Sequence, residues 1–168
     1  MLRLLFFSWL LMMGIQLPAT ACSCVGTSTV AGELKQSDFV AVGKIKARTR
    51  ISAATLLRGV KKLPSLSASD TLFLFYKYKY TVEIEEVYKG NRQEKVVEIF
   101  TGAGGGDCGI EFLVGSTYII YARLQSTFTA NLSGKELEAS PFLTTDICTR
   151  TTKKNKTELA DLRKAASR

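Results

Sequence analysis

Histidine is absent from the 168 residues of this chain. Without imidazole there is no Ser-His-Asp or Cys-His nucleophile pair, no His-ligated metal site and no imidazole general base. That absence argues against an enzyme. Acidic residues are outnumbered, 15 against 23 Lys and Arg, so the net charge is +8. Cysteine occurs only four times, enough for one all-Cys metal site or two disulfides. No internal repeat is present, and no long apolar run follows the first one. The length suits one ordinary domain, and 46% hydrophobic content is enough for a packed core.

The single apolar run is Leu4 to Leu17, uncharged and preceded by Arg3. At ~1.5 Å per residue, a helix of its length falls short of the roughly 30 Å hydrocarbon core. Pro18-Ala19-Thr20-Ala21 follows, with small residues placed as before a cleavage site. This is signal-peptide grammar, with the cut after Ala21. An uncleaved anchor and lipidation of the next Cys are the alternatives. Residues 1–21 are thus expected to be a signal and 22–168 a secreted domain of charge +7. Export makes disulfides the default for the four Cys.

The pattern of the mature chain is mainly β. A short helix is expected over Ser28 to Lys35, capped by Ser28 or Thr29. Asp38 to Ile45 reads as a strand with Phe39, Ala41, Gly43 and Ile45 on one face. Residues 46–70 are polar, basic and Ser-rich, read as a long excursion, with a local turn over Thr55 to Val60. From Leu72 to Val87, Tyr76, Tyr78, Tyr80, Val82 and Ile84 alternate with polar residues, so one face is buried. Lys89-Gly90-Asn91 marks a turn, and Val96 to Thr101 is the hairpin partner. Gly102 to Gly109 reads as a flexible loop. Tyr118 to Ala122 is a buried strand, and Phe128 to Leu132 another, turning at Ser133-Gly134. Asn155 with Glu158 predicts a capping box opening a helix to Ala166, with Leu159, Leu162 and Ala166 as its stripe. About five strands with a closing helix suggest a small barrel or sandwich with helices outside.

Cys22-Ser23-Cys24 would be the new N-terminus, with Cys108 and Cys148 far downstream. Residues two apart on extended chain reach different partners, so Cys22 and Cys24 are not expected to bond each other. Two connectivities remain, and both tie the terminus to the body.

These residues resemble the tissue inhibitors of metalloproteinases, in their N-terminal netrin-like domain. The resemblance rests on Cys22-Ser23-Cys24-Val25 after a signal, and on Ser37-Asp38-Phe39-Val40 leading to Gly43-Lys44-Ile45. It continues through Tyr80 to Gly90, Cys108-Gly109 with Phe112, Tyr118 to Ala122, and Thr144 to Cys148. The family carries a third disulfide and a second domain that this chain lacks, so it resembles a minimal single-domain form, with Gly26 where the family commonly has Pro.

The resemblance implies a five-stranded OB-type Greek-key barrel with flanking helices and the pairs Cys22–Cys108 and Cys24–Cys148. It also implies a secreted monomeric inhibitor of zinc metalloendopeptidases of the matrix metalloproteinase type, with no cofactor of its own. In that family the free α-amino nitrogen and carbonyl oxygen of the first Cys, here Cys22, chelate the target's zinc. Ser23 would enter the pocket beyond the scissile bond, and Cys24 and Val25 would continue along the cleft. Gly106, Asp107, Cys108 and Gly109 would form part of the same ridge.

The other reading is a non-inhibitory netrin-like module of the extracellular matrix. Anionic matrix polysaccharide suits Lys44, Lys46, Arg48, Arg50, Arg58, Lys61 and Lys62. A phosphate loop at Gly102 to Gly106 is unsupported, since no Gly-Lys-Ser/Thr follows. The interleaved Tyr and Lys residues suggest core rather than a nucleic-acid platform. No membrane contact is expected after signal removal. Asn131-Leu132-Ser133 and Asn155-Lys156-Thr157 match glycosylation acceptors.

Overall fold

The computed structural model describes residues 22, 24, 29–51, 78–130 and 135–167. The expected signal segment, Ser23, Val25, the turn over Thr55 to Val60, residues 72–77 and Ser133-Gly134 lie outside these residues.

The chain runs α1 (Val30–Gln36), β1 (Phe39–Arg50), β2 (Tyr78–Lys89), β3 (Val96–Thr101), β4 (Thr117–Ala130), β5 (Lys135–Thr144), β6 (Thr152–Lys153) and α2 (Lys156–Ala166). Strands pair in the order β1-β2-β3-β5-β4, and β4 pairs back onto β1, so five strands form a closed ring. All these pairings are antiparallel except β3 with β5. This is the OB-type barrel order, and closure removes most free sheet edges. β6 adds two residues to the outer side of β4.

Side chains alternate across the ring. Phe39, Ala41 and Ile45 point inward with Tyr80, Val82, Val97, Ile99, Tyr118, Ile120 and Ala122, and Phe112 closes over them. The odd-even partners Val40, Val42, Ile119 and Tyr121 point outward and pack beneath the helices with Val30 and Leu162. β1 and β4 are therefore buried on both faces, which explains their continuous apolar runs FVAV and YIIYA. Gly43 sits where β1 bends over β2: a Cβ there would lie 2.5 Å from the Val82 side chain.

Thr29 caps α1, accepting a hydrogen bond from Gly32 N. At the other end the Lys89 ammonium donates to the Leu34 and Lys35 carbonyls, each at 2.9 Å. These carbonyls have no partner within so short a helix.

The structure departs from the sequence expectation at several places. β1 continues to Arg50, so the excursion begins beyond it. Tyr118 to Ala122 and the strand expected from Phe128 are one strand, β4. β5 was not anticipated, because Pro141 and two Glu residues read against a strand. Between Phe142↔Gln125 and Glu138↔Thr127 the ladder breaks, and Pro141 falls in that bulge, where no ladder N–H is required. In α2, Asn155 accepts from Glu158 N at 2.9 Å, but the Glu158 side chain turns inward rather than back to the cap. Ala165 packs against the core while Ala166 is exposed.

Candidate functional site

β1 and β3 end, and β2 and β4 begin, at one end of the ring, where β5 also terminates. Two loops there carry the downstream cysteines. Cys108 follows a single 3₁₀ turn, Gly105–Asp107, and Cys148 lies four residues past β5. Cys22 bonds Cys108 and Cys24 bonds Cys148, with Cα–Cα distances of 5.5 and 5.2 Å. Of the two connectivities open in the sequence, this is the one the family resemblance implied. With every cysteine in a disulfide, a four-Cys zinc site is excluded.

Each loop is organised by an aspartate. The Asp107 carboxylate accepts from Ala103 N at 2.6 Å, Gly104 N at 2.9 Å and Gly109 N at 3.1 Å. Asp146 accepts from Cys148 N at 2.8 Å and Thr149 N at 3.0 Å. The loops are joined directly, since Ile147 N donates to the Cys108 carbonyl at 2.9 Å. Cys108 adopts a left-handed backbone, φ 58°, which is uncommon for a non-glycine residue. Gly109 is required by close approach: a Cβ there would lie 2.2 Å from the Gly102 carbonyl carbon. The segment expected to be a flexible loop is thus internally bonded.

The Cys148 loop is anchored from behind. The Thr145 hydroxyl donates to the Tyr121 carbonyl and meets the Thr149 and Thr151 hydroxyls at 2.9 and 2.8 Å. Arg150 pairs with Glu158 of α2, which also accepts from the Tyr121 hydroxyl at 2.9 Å. Burial opposes the charge on Glu158, yet hydrogen bonds from Arg150 and Tyr121 hold its carboxyl below the ordinary value. Burial, with the neighbouring carboxylate, pushes the Tyr121 phenol well up. These networks missed notice in the sequence because Thr145, Thr149, Thr151 and Arg150 have no periodic signature. They come together only when β4, β5 and α2 close.

Of the residues singled out, Cys22, Cys24, Gly106, Asp107, Cys108 and Gly109 converge at this end of the ring. Ser23 and Val25 lie outside the described residues. Among the basic candidates, Lys46 pairs with Glu83 at 3.1 Å and Arg48 with Glu111 at 2.7 Å, and Arg48 lies over the Tyr78 ring. Arg58, Lys61 and Lys62 lie outside the described residues. Tyr80 is fully buried, packed edge-on against Phe112, so it is core and not a stacking platform. No protein-family model matches the chain, and no curated protein matches it.

Proposed function

We propose that the mature chain is a secreted, monomeric inhibitor of zinc metalloendopeptidases that acts through an N-terminal Cys22. The observation that carries this reading is the pair of bridges from residues 22 and 24 to two internally bonded loops. A catalytic zinc keeps one coordination position open. The α-amino nitrogen and carbonyl oxygen of a first residue are spaced to occupy it as a five-membered chelate. The Cys22 sulfur is committed to its disulfide, so backbone atoms would do the binding. Fixing the terminus beforehand reduces the ordering cost of docking. Ser23 would then enter the pocket beyond the scissile bond. Cys24 and Val25 would follow the cleft as a substrate-like strand, beside the ridge Gly106 to Gly109. The missing histidine fits this role, because the target supplies the metal and its ligands.

Two disulfides belong with an oxidising compartment. Among the described residues no helix is long and apolar enough to cross a membrane. The disulfides agree with export.

The decisive experiment adds one Ala before Cys22. Inhibition of a panel of zinc endopeptidases is expected to vanish while the circular dichroism spectrum and melting temperature stay unchanged. Equal inhibition by the extended protein refutes chelation. Absence of inhibition by a protein whose terminus is an unblocked Cys22 favours the matrix-module reading.

A further inference from the structure

The two ends of the ring differ. β3 and β5 pair only at their ends nearest the disulfides, through Ile99↔Leu143 and Phe100↔Thr144, and diverge away from them. Val96 to Glu98 therefore pair with β2 on one side and, among the described residues, have no strand partner on the other. A cavity of about 400 Å³ opens at this seam. Phe100 and Phe142 form its wall, their rings edge-to-face at 5.2 Å. Val96 and Leu124 border it and are 56% and 54% exposed, high for large aliphatic side chains.

Charge decides what such a groove accepts. Asp38, Glu94 and Glu98 line it, in a chain whose net charge is +8. The lining contains no Lys or Arg; Lys79 pairs with Glu98 at 2.6 Å, and Arg92 and Lys95 adjoin the lining in sequence. Carboxylates repel nucleic acid and sulfated polysaccharide, and aromatic faces beside carboxylates attract Lys and Arg. A half-paired strand offers backbone donors and acceptors to an added strand.

We propose that this seam is a second binding site, which takes an extended peptide segment of another protein with alternating basic and apolar residues. The segment adds alongside Val96 to Glu98. Its apolar side chains fall on the inward face with Val97, Leu124 and Leu143, and its cations on the outward face with Glu98, Phe100 and Phe142. The added strand lies beside the Val96 end of β3, whereas the Cys108 loop follows its Thr101 end.

The test titrates ¹⁵N-labelled mature protein with an acetylated, amidated hexapeptide of alternating Lys and Val, and separately with its Glu-Val counterpart. The Lys-Val peptide is expected to bind with sub-millimolar Kd. Its amide shifts should be confined to 94–100, 124 and 142–143. The Glu-Val peptide should bind at least tenfold more weakly. Glu94→Gln with Glu98→Gln should weaken Lys-Val binding about tenfold and leave the melting temperature nearly unchanged. The proposal is overturned by no shifts at 2 mM peptide, by shifts centred elsewhere, or by equal binding of the two peptides. Displacement of the peptide by a heparin oligosaccharide bound at these same amides also overturns it. None of these readouts involves protease inhibition, so this site stands or falls independently of the Cys22 mechanism.

Discussion

Replacing one bridge by serines, either Cys22 with Cys108 or Cys24 with Cys148, should cost nearly the same stability in both cases. The sequence separations of 86 and 124 taken singly would predict a larger loss for each. Taken alone, loops of those lengths correspond to ~4.6 and ~4.9 kcal/mol in the chain-entropy account. The two bridges share almost the same start, however. With one intact, the other closes only the short path through it, two residues at the N-terminus and forty between Cys108 and Cys148. That path of about 42 residues is worth ~3.9 kcal/mol whichever bridge is removed. In urea, with a slope of about 2 kcal/mol/M, each variant should lose about 2 M in its unfolding midpoint. Losses that differ by more than ~1.5 kcal/mol, or either loss below ~1 kcal/mol, refute the topological calculation. The functional effects should separate where the stabilities do not. Loss of the Cys22 bridge releases the terminal residue itself and should abolish inhibition at protein concentrations where both variants are folded.

Three further outcomes are expected. Inhibition should weaken as pH falls below about 7.7, the ordinary α-amino value, approaching tenfold per pH unit, because only the neutral amine of Cys22 donates to metal. A flat inhibition constant from pH 8 to 6 refutes amine ligation. Glu158→Gln should destabilise by about 1–2 kcal/mol at neutral pH, since hydrogen bonds to a charged, buried carboxylate are lost. The folded carboxyl value lies below the unfolded one, so its contribution is present above about pH 4.3 and fades as pH falls through the folded value. Urea curves of wild type and variant should draw together as pH falls below about 4.3, and a constant gap contradicts the assignment. Gly109→Ala should cost about 2–3 kcal/mol, because its Cβ would overlap the Gly102 backbone and force the Cys108 loop to move. A melting temperature within 1 °C of wild type refutes that packing argument.

The elements that were legible in the sequence are those in which one physical signal dominates. Period-two patterning placed Tyr80 and Val82 inward and marked β3 at Val96 to Thr101. Cap chemistry placed Thr29 and Asn155 at the starts of α1 and α2. Cysteine positions confined the bridges to two patterns, and the family resemblance pointed to the one found. What stayed hidden depends on contacts between distant segments. β5 was obscured by Pro141, which is tolerated only because β4 meets a bulge there. The inward turn of Glu158 was hidden because a half-buried Arg150 outcompetes the helix cap for its carboxylate. The half-open seam at Val96 to Glu98 follows from where two parallel strands diverge, and no local pattern encodes that divergence. Local preferences thus set the strands, caps and inward faces, since each depends on neighbours a few residues away. Closure of the ring alone decided which loops meet the N-terminus and which sheet edge stays uncovered, because both depend on residues up to 124 positions apart.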